Sequence, residues 1–319
     1  MDRPSMLIKV RETEFKPLLD PQRVTADIKQ HLLPWTDLIR DITNYGSNLI
    51  PRCFGSSGRS LKDAVVIGIL LRQLVSMLDS VAILLSNGAV HAAHLQLRAL
   101  FEASVYIDWI LEGHSEKKAV YYYVHNLRRK RLWANRSQPG SPESKELIDM
   151  MNEAGVQISD QAREAASNQL QEIARVLSQP ALSQASDDFD NHRKGKRYDP
   201  AWYAPLGQRN LGTMARAVGK RALYTFLYSG ASEVMHTSNY EHHLRMGKGE
   251  VTFQSIRSVE GFENVFRYSL NIALMTFRRI LAEYRNDELP AFSRKYSENW
   301  KTEFINFPKL TIKIDSTRI

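Results

Sequence analysis

The stretch HAAHLQLRALFEASVYIDWIL, residues 91–111, sets His91, His94, Arg98 and Glu102 at intervals of three and four. At about 100° per residue these positions form one stripe of a helix. Imidazole moves protons near neutral pH. A guanidinium holds carboxylates or phosphates in a fixed fork, and a carboxylate supplies a base or a counter-charge. The same helix carries Leu97, Leu100, Phe101, Val105 and Ile107. Isolated charges among such neighbours cost several kcal/mol each, so they must be paired, hydrogen-bonded or facing a wet cavity. Two arrangements fit: a structural Arg98–Glu102 ion pair that knits helices together, or a buried polar pocket.

A second set of chemical groups lies in YSGASEVMHTSNYEHH, where Ser232 precedes His236 by four residues and Glu233 precedes it by three. Glu-x-x-His is the half-site of dinuclear carboxylate bundles. A complete site needs a second copy of that motif, and the chain has none. No metal and no cofactor is therefore expected. A single ion on His91, His94 and His236 is the residual metal-binding alternative. The first stripe is expected to face the Ser232–His236 helix, which makes Arg98, Glu102 and His236 the catalytic candidates. His91, His94, Ser232 and Glu233 are the binding candidates around them.

The helix KKAVYYYVHNLRRKRLW joins three tyrosines to Arg128, Arg129, Lys130 and Arg131. Cations beside aromatic platforms suit single-stranded nucleic acid. Cations at a helix C-terminus also simply favour the helix dipole. These four residues are carried forward as candidate RNA contacts. Other chemistries find no support. There is no Walker spacing around GKGE or VGKR, no Gly-x-Ser-x-Gly, and the single cysteine, Cys53, lies in a predicted linker.

The elements that must position these groups read as helices almost throughout. The predicted fold is all-α, a multi-helix bundle with an N-terminal helical extension over residues 1–58, a bundle core over 59–290 and a tail over 291–319. The extension is expected to break at Pro34 and end in the linker PRCFGSSGRS. Residues 61–86 and 91–111 form a tight helical hairpin closed at Gly88, and Ser115 is placed as the cap of the third long helix. Further helices are predicted over about 142–154, 160–177, 209–218, 221–237 and 259–285. Residues 180–205 read as irregular. HLRMGKGEVTFQS alternates around a Gly-Lys-Gly turn and predicts a short β-hairpin near 244–255. FINFPKLTIKI suggests one more strand.

The 319 residues are 43% hydrophobic and 24% charged, with a net charge of +8 that favours anionic partners. One cysteine fits a reducing, cytoplasmic setting. The N-terminus lacks an apolar signal region, which predicts no signal peptide. Residues 64–85 have the length of a membrane span, but Arg72 and Asp79 lie in their middle. Each central charge costs roughly 2.5–3.5 kcal/mol on insertion scales. A buried helix of a soluble protein, with no membrane partner, is the expectation.

LRALFEASVYIDWI, with its Arg-x-x-x-Glu, and WYAPLGQRNLGTMARAVGKRALYTFLYSGASEVMHTS, with its Ser-x-x-x-His, resemble an uncharacterised bacterial all-helical family catalogued only as a domain of unknown function. The resemblance spans roughly residues 60–285. It implies a bundle in which Arg98, Glu102, Ser232 and His236 meet, and it supplies no activity. A more distant likeness is to the helical ribonuclease domains of bacterial toxin and defence systems. Those have four to six residues between an Arg and the His that follows it, a spacing absent here. The expected function is a non-catalytic binding or regulatory bundle whose partner is RNA or another protein, with a homodimer allowed. The alternative is a ribonuclease-like enzyme using Arg98, Glu102 and His236.

Overall fold

In the computed structural model the described residues are 21–55, 61–196, 198–228, 234, 243–247, 250–253, 255–309 and 317–318. The chain folds as an all-α multi-helix bundle with one small sheet. Helices α1 (Pro21–His31) and α2 (Leu33–Gly55) open it. Pro34 falls in the first turn of α2, where no backbone donor is needed. The helix also continues through Pro51, so residues 51–55, expected as linker, are helical. Ile39, Ile42 and Leu49 of α2 are fully buried. The N-terminal segment thus contributes side chains to the bundle core.

Helices α3 (Leu61–Ser86) and α4 (Val90–Leu111) form the predicted hairpin. Gly88 turns it with φ +68°, and a Cβ there would come 2.5 Å from Val24 Cγ1. Ser258 donates its N–H to the Gly88 carbonyl at 2.8 Å, and Arg257 reaches the Asn87 carbonyl at 2.8 Å. The long helix α11, Phe262–Tyr284 by its bounds, packs against α2 and α4. Gly46 of α2 lets it approach closely, because a Cβ there would overlap the Phe277 ring.

Helices α5 (Ser115–Arg136), α6 (Ser144–Glu153), α7 (Asp160–Leu177) and α8 (Pro180–Arg193) make the outer layer. Ser115 does not cap α5. His114 occupies that position, and the Ser115 hydroxyl donates to Asp63 Oδ2 at 2.7 Å. Helix α8 corrects the irregular reading of residues 180–193. Proline stands in its first turn, and Leu182, Ala185 and Phe189 are buried at helical spacing.

After a tight turn at Ala204–Leu206 come α9 (Leu211–Ala217) and the short α10 (Arg221–Leu223), which widens into a π turn over Tyr224–Tyr228. The hairpin pairs β1 (Leu244–Gly247) with β2 (Glu250–Phe253), with Leu244 opposite Phe253 and Gly247 opposite Glu250. Strand β3 (Thr317–Arg318) adds antiparallel to β2. Helices α12 (Leu289–Lys295) and α13 (Lys301–Ile305) flank a π turn holding the buried Trp300, whose ring meets Tyr45 edge-on at 5.4 Å. Residues 289–305 are therefore packed helix, and of the expected strand at 304–314 the first residues are helical while 310–314 lie outside the described residues.

Candidate functional site

Helix α4 buries Ala93, Leu97 and Leu100 on one side, and the His91, His94, Arg98 and Glu102 stripe lies on the other, where all four are half-buried. Each charged member is held by a tyrosine. Arg98 lies over the Tyr228 ring, its Cζ 4.0 Å from the centroid, and donates to the Tyr228 hydroxyl at 2.7 Å. Glu102 accepts the Tyr106 hydroxyl at 2.6 Å. Tyr224 stacks on Tyr228 at 5.1 Å, and Trp202 meets Tyr106 edge-on at 5.3 Å. Tyr224 and Tyr228, four residues apart at the two ends of the π turn, share one side as helical positions i and i+4 do.

Burial, and next the Glu102 charge, push the Tyr106 hydroxyl far above its ordinary range. The same two causes, in the same order, raise Tyr203. A consequence can be measured. Glu102→Gln removes the charge that opposes phenolate formation, so tyrosine ionisation should begin at lower pH. Near-ultraviolet absorbance during alkaline titration reads this directly, and superimposable curves for parent and variant would reject it.

His91 lies 5.2 Å from the His243 ring, and His94 stands beside Gly261 at the start of α11. Ser232, Glu233 and His236 lie outside the described residues, and so does the expected meeting of the two motifs. Among the described residues no group of three or more His, Cys, Asp or Glu is placed to hold a metal ion.

The basic helix divides in two. Arg128 faces inward with its side chain 1% exposed. Its fork is filled by Asp199 at 2.7 and 2.9 Å, Asp190 at 2.7 and 3.3 Å, and Ser186. Arg128 is therefore a structural cation and not an RNA contact. Arg129 and Lys130 are exposed, while Arg131 is half-buried. Arg131 makes no hydrogen bond or ion pair among the described residues. Burial, and then repulsion from Arg128, lower its affinity for a proton.

Arg129 and Arg131 open onto a cavity of about 320 Å³, whose wall also includes His125, Asn135, Arg193 and Tyr198. The Arg193 guanidinium reaches Asp190 at 3.5 Å. Burial and the neighbouring Arg129 hold His125 below its ordinary 6.5. Asp199, Pro200 and Ala201 close the cavity on one side. The next residue, Trp202, is wedged between Tyr122 of α5 and Tyr106 of α4 at 5.3 Å from each. One short segment thus forms a wall of the cavity and a lid on the α4 tyrosine cluster.

Three features escaped the sequence reading. The tyrosines that hold Arg98 and Glu102 include one 130 residues away. The acids that neutralise Arg128 lie on and just beyond α8. Lys220 is buried and binds Asp108 at 2.6 Å and the Ser104 hydroxyl at 3.0 Å. Only Tyr106 left a local signal, as the residue four beyond Glu102.

The model of a family of unknown function, DUF5677, matches residues 63–251, more than half of the chain. No curated protein and no solved structure matches it.

Proposed function

The chain belongs to the DUF5677 family, a family of unknown function, and on the geometry it displays we propose that it is a non-catalytic binding protein for a phosphate-bearing small molecule. The ligand phosphate enters the cavity beside α5 and is held by Arg131, Arg129 and Arg193.

One observation carries this. The cavity wall holds two carboxylates, Glu143 and Asp199; Asp199 is engaged by Arg128, as is Asp190 of α8, and Arg131 stands half-buried in that wall with no hydrogen bond or ion pair of its own among the described residues. An anion there relieves a repulsion already present among Arg128, Arg131 and Arg193. Planar forks suit phosphate oxygens. At about 320 Å³ the cavity sits at the small end of ligand sites, which run from roughly 300 to 1,000 Å³. That favours a nucleotide-sized ligand over a polymer. Within the α4 stripe, Glu102 holds Tyr106, whose ring backs Trp202 and hence the cavity wall.

Thermal unfolding with inorganic phosphate, pyrophosphate and a nucleoside monophosphate tests the reading. Each should raise the melting temperature, since a ligand bound only by the folded form stabilises it. With sulfate, whose charge does not change over this range, the effect should grow as pH falls below 6.5, because protonated His125 adds a cation facing the site. In ligand-free protein the sign is opposite. Stability contributed by neutral His125 is present above the ordinary imidazole range and lost as pH falls through its depressed value. No shift with any of the three anions at low salt would remove the proposal, and cleavage of added RNA by the pure protein would contradict its non-catalytic part.

A further inference from the structure

We infer that the outer face of α3 is a self-complementary dimer surface, on which a second copy of this chain packs its own α3 antiparallel. Helix α3 contains the stretch among the described residues, Asp63–Ser86, that is long and apolar enough to cross a membrane, yet only half of it is buried. Its outer side keeps Val65, Ile69 and Ile83 each more than half exposed, at 53%, 51% and 57%. Arg72, Ser76 and Asp79 are exposed on the same side. At about 100° per residue all six fall within an arc of about 80°. The buried residues Ile67, Leu71, Leu74 and Leu78 occupy the other side. This apolar stripe is wider than the bundle core requires.

The order of residues along the stripe says what covers it. Place a two-fold axis at Ser76. Ile69 of one copy then faces Ile83 of the other, and Ser76 faces Ser76. Arg72 falls within one residue, or about 1.5 Å of rise, of the position opposite Asp79. Neither Arg72 nor Asp79 has a hydrogen bond or ion pair among the described residues, and at seven apart they cannot pair within one helix. In the antiparallel dimer each arginine meets the other copy's aspartate, twice over. That is the isologous pattern of a closed two-fold contact. Serine at the axis allows the two helices to approach within the usual 8–10 Å or so. Beside the axis a groove of about 430 Å³, lined by Ser47 and Ile50 of α2 with Arg72, Ser76 and Asp79 of α3, gives the partner's side chains a place to seat. A membrane surface fits less well, because the charged pair lies at the centre of the stripe and not at its rims. The inference is independent of the phosphate site.

Sedimentation velocity of the full chain across a micromolar concentration series is the test, with circular dichroism to show that each variant is folded. The parent should dimerise. Arg72→Glu sets a glutamate against Asp79 at two symmetric places and should weaken the dimer by about tenfold or more, since repulsive juxtaposition is costly. Asp79→Arg should do the same. The doubly swapped Arg72→Glu/Asp79→Arg should restore dimerisation, an outcome that a merely structural role for either residue does not produce. Ile69→Asp should leave a folded monomer. A parent monomeric throughout the series, a dimer indifferent to Arg72→Glu, or a double swap that fails to recover would each overturn the inference. So would monomeric parent protein that co-sediments with phosphatidylcholine vesicles.

Discussion

Arg128→Ala should lower the unfolding free energy by about 3–5 kcal/mol, the usual cost of breaking a buried pair by removing one member. The cation is 1% exposed, and Asp199, which it holds with two nitrogens, is 15% exposed. Alanine leaves that carboxylate without its cation and severs the tie between α5, α8 and the 199–202 segment. Arg128→Lys should recover only part of the loss, because a single ammonium cannot reproduce a fork engaged by Asp190, Asp199 and Ser186 together. Acid sensitivity should change too. A hydrogen bond from Arg128 holds Asp190 below its ordinary 3.8. That contribution is present above the usual carboxylate range and lost as pH falls through the lowered value, so the variant should show a shallower decline of stability in acid. Denaturant titrations at several pH values measure all three effects. A loss under about 1 kcal/mol would mean that the network is hydrated and behaves as a surface pair.

Lys220→Met is expected to be of similar size, about 3–5 kcal/mol, for the same reason. Lys220 is 3% exposed and is the cation that Asp108 meets inside the bundle. It also donates to the Ser104 hydroxyl, so it pins the α9–α10 junction onto α4. Methionine keeps much of the volume and removes the charge, which isolates the electrostatic part. Adding Asp108→Asn to Lys220→Met should return most of the stability, since the stranded charge is then gone. A double variant as unstable as the sum of the singles would show that the two residues do not act as a pair.

Much of the scaffold was legible because it follows from local pattern. The α3–α4 hairpin is announced by two apolar runs around Gly88, and the β-hairpin by alternation around Gly-Lys-Gly. Helix α8 was missed because Asp187, Asp188, Asp190 and Asn191 depress its apparent helicity, although Leu182, Ala185 and Phe189 carry the helical spacing. That omission hid the chemistry of α5. With residues 180–193 read as irregular, nothing marked Asp190 as a partner, and Arg128 looked like one more solvated cation in a basic run. The polar stripe on α4 was found, but not what satisfies it. Arg98 and Glu102 suggested each other, whereas a charge four residues away competes with any hydroxyl the fold delivers, and here Tyr228 and Tyr106 take those places. Periodicity reports which face is buried. It does not report which side chain from a distant segment arrives there.

The phosphate site can be isolated by isothermal titration of pyrophosphate at low salt into the parent, Arg131→Ala and Arg98→Ala proteins. The parent should bind, with an affinity that falls as salt rises. Arg131→Ala, which removes a cation with no structural partner among the described residues, should stay folded and lose binding by an order of magnitude or more, as expected when a charge-assisted contact is deleted. Arg98→Ala should retain it, because the α4 stripe lies outside the cavity. Binding that survives Arg131→Ala but disappears with Arg98→Ala would place the ligand on α4 and contradict the assignment to the α5 cavity.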